Sequence, residues 1–449
     1  MASIYTKSMQ IFNAENFKAS IGDASQPYVY FTFGKVEPWP STINPHQEDP
    51  PPQAVNSVDT NIRVWKNMIG AKKIQGNDVR LAIRRFDWTS GTIYTEYDDS
   101  EANLDMNDPT VKFYVVTDEW KVYKCLGNNN GGASTVKPTS INTYIAEQLA
   151  DKYIWKFMYE LSDEEKLRFT TTNFIPVRTL TEDNGSLQWH VQANAVQGSI
   201  GSIKITNGGS GYTVNPTVTI TGDGTGAEAT LTVDPSTYAV DGILITNKGQ
   251  NYTYANVTIN QAGGVGQGAT ARVVMSPQGG HGANPVEELG ASFVIINAQL
   301  RGSESGILDV QNEFRQVALV KNPILNDAVT VASGIAYSQT TEILVDEAGD
   351  NYEEDEFVFQ GTNLATSTFR GQVASWNSAQ SLLYLVDVSG TLNLSREIIG
   401  DTTRASHQTR STIDRAFKPY TGSILYINNI TQIQRTTDQT EDFKIVVSF

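Results

Sequence analysis

The sequence predicts a mainly β (α+β) protein with a few short helices, and three observations carry that reading. Glycine, asparagine and threonine recur along all 449 residues, between short apolar runs that alternate with polar positions. Tyr153, Trp155, Phe157, Tyr159 and Leu161 share one parity, with Lys156 and Glu160 on the other, as a strand with one buried aromatic face requires. A unit rich in alternating Ile, Val and Thr is repeated after about 40 residues.

In chain order, Phe17 and Ile21 suggest a helix ending at Gly22. Glu37 to Pro52 contains Pro38, Pro40, Pro45, Pro50, Pro51 and Pro52; proline removes ladder donors, so an extended surface loop is expected. Val58, Ile62, Trp65 and Ile69 lie on one helical face, with Gly70 placed for a C-terminal cap. Ser162 and Glu165 have capping-box spacing for a third, short helix. Phe443, Ile445, Val447 and Phe449 share a parity and predict a C-terminal strand integral to the core, approached through the polar, exposed run Asp438 to Asp442.

The repeat begins at Ile203-Lys204-Ile205-Thr206-Asn207-Gly208-Gly209-Ser210-Gly211-Tyr212-Thr213. It is echoed by Ile243-Leu244-Ile245-Thr246-Asn247-Lys248-Gly249-Gln250-Asn251-Tyr252-Thr253. Each copy continues into a Val-Thr-Ile strand, a glycine-rich turn and another strand, so two copies can cover each other's apolar faces. A weaker echo lies at Ile343 to Phe359, around Ala348-Gly349-Asp350-Asn351-Tyr352. The expected division is an N-terminal part, 1–196, an inserted all-β repeat module, 197–277, and a C-terminal part, 278–449.

Composition narrows function. Lysine and arginine number 33 against 49 aspartates and glutamates, a net charge of -16, which argues against a general nucleic-acid or anionic-membrane surface. One cysteine, Cys125, leaves no disulfide framework or cysteine-rich zinc site and fits a reducing compartment. The first residues lack the apolar run of a signal peptide, and no stretch approaches the ~20 apolar residues of a membrane helix.

Catalytic patterns are missing. His46, His190, His281 and His407 are dispersed, with no HExxH arrangement, and read as loop histidines. Gly222-Asp223-Gly224-Thr225-Gly226 lacks Walker or GxGxxG spacing and reads as a β-turn. Gly208-Gly209-Ser210-Gly211 is no nucleophile elbow, and Gln250 replaces Ser210 in the second copy. Two acidic clusters, Asp98, Asp99, Glu101, Asp105 and Asp108, and Asp346, Glu347, Asp350, Glu353, Glu354, Asp355 and Glu356, lack calcium-loop order. They read as solvated loops, or as docking surface for a basic partner. No catalytic residue, metal, cofactor or small-molecule substrate is expected.

A set of ordered blocks carries a resemblance: Phe31-Thr32-Phe33-Gly34-Lys35-Val36-Glu37-Pro38-Trp39, Trp65-Lys66-Asn67-Met68-Ile69-Gly70, Arg84-Arg85-Phe86-Asp87-Trp88, Val122-Tyr123-Lys124-Cys125-Leu126 and Tyr153-Ile154-Trp155-Lys156-Phe157. Phe314-Arg315-Gln316-Val317 with Asn322-Pro323, Ser423 to Asn429, and Asp438 to Asp442 continue it. In this order they resemble the baseplate wedge subunit family, gene product eight, of T-even-type contractile-tailed phages. The resemblance implies a homodimeric structural protein with a layered β-sandwich core and short helices on loops. It implies contacts with other baseplate wedge proteins, in the virion tail and in host cytoplasm during assembly. The repeat module has no counterpart in that family, and Asn429 to Gln434 replaces a proline-containing stretch.

Trp39, Trp65, Trp88 and Tyr426 are the candidate interface residues, with Trp155 in the same aromatic set; core packing is the competing role. The function expected is structural. Receptor or glycan binding through the repeat, with Tyr212 and Tyr252 exposed, is the alternative, and a tail-associated glycosidase the third.

Overall fold

Strand is the dominant element of the computed structural model, which describes residues 6–22, 27–35, 51–100, 108, 110–214, 216–261, 265–310, 312–346 and 350–449. The helices are α1 (Lys7–Gly22), α2 (Val58–Asn67), α3 (Asp163–Phe169), α4 (Leu187–Ala193) and α5 (Pro285–Leu289). The chain divides into two units: Met1–Lys18, Arg80–Ile295 and Val446–Phe449 form the first, Ala19–Val79 and Ile296–Ile445 the second.

The second unit holds a five-stranded antiparallel sheet in the order Ala336–Ser338, Met68–Lys73, Val29–Gly34, Glu313–Lys321, Ser423–Gln434. Along Val29–Gly34, alternation sends successive rings to opposite faces. Tyr30 meets Phe417 edge-on at 5.3 Å, while Phe31 packs on Phe443 at 4.8 Å and Phe33 on Phe314 at 5.1 Å. Both faces are therefore covered, one by Phe443 of the strand Thr440–Ser448, which gives the expected layering. The same unit carries a closed six-stranded barrel, ordered Thr341–Val345, Leu382–Gly390, Phe369–Asn377, Phe357–Gln360, Glu397–Gly400, Ser406–Ile413. Closure removes free edges, and Ile343, Val358, Val373, Leu383, Leu385 and Ile398 fill the interior. The echo at Ile343 to Phe359 belongs to this barrel, with Ala348 and Gly349 outside the described residues.

Helix α2 departs from its expected end. Ser57 caps it by accepting the Thr60 N–H at 3.1 Å, but the helix stops at Asn67 and Met68 passes directly into strand. Its buried residues are Val64 and Trp65, while Val58 is 76% exposed. Gly70 is a packing residue in mid-strand: a Cβ there would come within 2.5 Å of the Phe33 ring. Helix α3 forms as expected, with Ser162 and Glu165 bonded reciprocally at 3.3 and 2.9 Å. Helices α4 and α5 were not read from sequence, although Ser186 caps one, and Asn284, Pro285 and the left-handed Gly290 delimit the other.

In the first unit, Tyr153–Glu160 is an interior strand of a sheet ordered Tyr114–Val116, Lys121–Asn128, Tyr153–Glu160, Glu147–Gln148. Its aromatic parity is buried, but so is Lys156, because the opposite face is covered as well. The C-terminal strand differs more. The strand Thr440–Ser448 is an edge strand that begins in the second unit and ends in the first, and of its four aligned side chains only Ile445 is fully buried. Within its approach, Glu441 is buried beside Arg435 at 3.5 Å, so that run is not wholly exposed.

The repeat forms three two-stranded ribbons. Ile200–Ser210 pairs with Gln267–Met275, Thr225–Val233 with Val240–Gln250, and Thr217–Gly222 with Ala255–Asn260. Every ribbon joins one strand of each copy, so the copies are interleaved around a pseudo-two-fold axis. Register breaks at Glu228/Ala229 and Thr232/Val233 recur at Thr270/Ala271 and Val274/Met275. Tyr212 and Tyr252 are buried in the shared core, contrary to the expected exposure. Each ring occupies space that a glycine of the other copy leaves open, Gly266 for Tyr212 and Gly224 for Tyr252. The turn glycines Gly209 and Gly249 adopt φ of 65° and 64°, where a β-carbon is strained.

Candidate interface residues and a buried charge network

Three of the four candidate interface residues, Trp65, Trp88 and Tyr426, fall among the described residues. Trp39 lies outside the described residues. Trp65 is 4% exposed in the core of the second unit, and its carbonyl accepts from Arg415 Nη1 at 2.7 Å. Trp88, in the first unit, is half-buried and donates from Nε1 to Ser134 Oγ at 3.1 Å. Tyr426 is half-buried on the edge strand Ser423–Gln434. Trp155 is core, stacked on Tyr153 at 5.6 Å.

The acidic clusters serve largely as internal joints. Asp98 pairs with Arg272, Glu96 with Lys204, and Asp99 accepts the Met275 N–H at 3.0 Å, fastening the repeat module within the first unit. Asp241 of the module pairs with Lys152. The copies differ at these positions: Lys204 and Arg272 correspond to Leu244 and Thr230, so the departures from symmetry coincide with the fastening. In the second unit the fully buried Lys35 meets Glu354 at 3.0 Å and Asp355 at 3.3 Å. Glu356 accepts from Thr402 N and Thr403 N at 3.0 and 3.1 Å. Glu101, Asp105 and Glu347 lie outside the described residues.

A network unread from sequence lies inside the first unit. The Lys121–Asn128 strand sends Lys124 inward, where its ammonium sits 3.0 Å from Glu288 of α5 and 3.3 Å from His281 Nδ1. The Tyr97 ring covers Lys124 at 4.0 Å. Burial opposes ionisation of Glu288, but Lys124 and His281 outweigh it and hold the carboxyl at about 2. Burial, with Lys124 adding to it, lowers His281 to about 4, so its imidazole is neutral. Lys124 donates to Nδ1, which places the imidazole proton on Nε2. Spacing could have found this network only through the pairing of two distant segments. His407 also proves to be a buried strand residue, its Nε2 2.6 Å from the Asp350 carbonyl.

Among the described residues no group of three or more His, Cys, Asp and Glu is placed to hold a metal. No helix among them is long and apolar enough to cross a membrane. Cys125 is buried, which pushes its thiol up, away from the reactive thiolate.

Residues 3–141 match the family model described as Bacteriophage T4, Gp8. This region is gp8-like. The chain is also similar to "Baseplate wedge protein gp8" of Enterobacteria phage T4, 24% identical over an alignment of 207 residues that covers 39% of this chain. The alignment spans 60% of that relative's length. The gp8-matched residues include Trp39, Trp65, Trp88 and the strand bearing Lys124, whereas the repeat module and Tyr426 lie beyond the matched segment.

Proposed function

We propose that this chain is a structural subunit of a phage tail baseplate wedge, joining neighbouring wedge proteins through protein–protein contacts and carrying no catalytic activity. The observation that carries the reading is the gp8 match over residues 3–141, together with a relative whose name is baseplate wedge protein. The ordered blocks near residues 314–323 and 423–442 extend the likeness beyond the matched segment. The subunit acts as a homodimer, in the virion baseplate after assembly in host cytoplasm. Its half-exposed Trp88 and Tyr426 are the contact residues in this reading; Trp65 contributes through the core. Burial of Tyr212 and Tyr252 removes the feature that favoured glycan binding. Locating the chain by electron cryomicroscopy in intact particles tests the proposal. Density for it in the baseplate, around the central hub, is expected; density only at fibre tips, or none, overturns it.

A further inference from the structure

Within the first unit, the repeat module leaves a small cleft against the Tyr153–Glu160 strand. It is lined by Ile200, Gly201, Ile243 and Ile245 of the module, with Leu126, Tyr144 and Ile154 opposite. Lys156, Lys248 and His281 bring three nitrogen-bearing side chains to the lining and Ser199 and Ser202 two hydroxyl-bearing ones, and the lining contains no carboxylate. Lys156 donates to the Thr143 carbonyl at 2.8 Å. Lys248 donates to the carbonyls of Asn194 at 2.5 Å and Tyr144 at 3.3 Å. An ammonium has three donors, so both retain hydrogen-bonding capacity. His281 Nε2 is buried and has no partner among the described residues, and it reaches the wall at Gly201, where a Cβ would lie 2.5 Å away.

An unpartnered buried N–H is unfavourable unless something accepts from it, and two buried ammonium groups beside it favour an acceptor that is an anion. The volume of about 30 Å³ suits two or three waters or a single carboxylate group, since one water needs roughly 10–15 Å³ by this measure. We propose that the cleft binds a small carboxylate anion of acetate size, held by Lys156, Lys248 and the Nε2–H of His281 against an isoleucine wall.

The groups facing the site set its pH dependence. Burial, then repulsion from Lys248, lowers Lys156 to about 7, with Glu288 opposing; burial lowers Lys248 to about 8. An arriving anion favours both charged forms. Binding therefore takes up protons near pH 7.5 and tightens as pH falls toward 6.

The test uses the full chain and sodium acetate, with sodium chloride at equal ionic strength as control. Acetate is expected to raise the melting temperature by a few degrees more than chloride at pH 6.5, and by less at pH 8.5. Calorimetry in buffers of different ionisation enthalpy should show net proton uptake. Lys156→Met and Lys248→Met should each abolish the acetate-specific shift; if one fails to fold, the other gives the same readout. Equal shifts from both salts, a shift that survives in the folded variant, or binding without proton uptake would overturn the proposal.

Discussion

Thr219 pairs in register with Thr258, its own counterpart in the repeat, so the pseudo-two-fold axis of the module passes between them. Among the described residues neither copy contains a hydrogen-bonded ribbon of its own. Stability of the module is shared, and damage to either copy should open both.

Tyr212→Ala and Tyr252→Ala are expected to cost about 3–5 kcal/mol each, as large-to-small changes at buried aromatics do. Tyr212 additionally loses the Ala269 N–H, now bonded to its hydroxyl at 3.1 Å. Limited proteolysis should cut within 200–275 in both variants. Cleavage confined to the mutated copy would contradict interleaving.

Gly70→Ala should destabilise by about 1–3 kcal/mol through overpacking against Phe33 and Leu308. Its φ is not in the left-handed region, so backbone strain contributes nothing. Shortening the neighbour, as in Gly70→Ala with Leu308→Ala, should be less damaging than the two single changes added together. Full additivity in denaturant melts would exclude the clash.

Lys124→Met should cost about 3–5 kcal/mol, because it strands the buried Glu288 charge. The sign with pH follows from both partners. Glu288 is held at about 2 against an ordinary 4.5, so its contribution is present above 4.5 and lost as pH falls toward 2. His281, lowered from 6.5 to about 4, adds a loss that begins below pH 6.5. Stability should thus decline from pH 6.5 downward, and Glu288→Gln should flatten the lower part of that decline in acid titrations followed by circular dichroism.

Replacing residues 197–277 with a short Gly/Ser linker should leave the remainder folded. The module's two ends meet, Ser199 Oγ lying 2.9 Å from Ser276 Oγ and the Ser276 N–H donating to the Ser199 carbonyl at 3.0 Å. Removing the partners of Asp98 and Lys152 lowers the melting temperature without abolishing a cooperative transition. An insoluble product would make the module part of the folding core.

Period two, the repeat and the Ser162 cap were legible because each is local. The barrel was not, since closure depends on pairings such as Ile343 with both Leu383 and Thr412. Alternation in Phe443 to Phe449 correctly marked a strand but said nothing of its place, and an edge position leaves Phe443 and Val447 half-exposed. Gly70 was misread because a glycine after a helix and a glycine under a phenylalanine look alike in one dimension. Lys124, Glu288 and His281 were invisible as a group, with the repeat module intervening between the first and the others.

The meeting of Ser199 and Ser276 also has a mechanical reading. Tension carried along the polypeptide from one flank to the other crosses a single junction instead of stretching the intervening ribbons. For load carried along the backbone, those ribbons ride as a passenger, and such strain enters them from their ends only after the Ile200–Met275 rung has been unzipped.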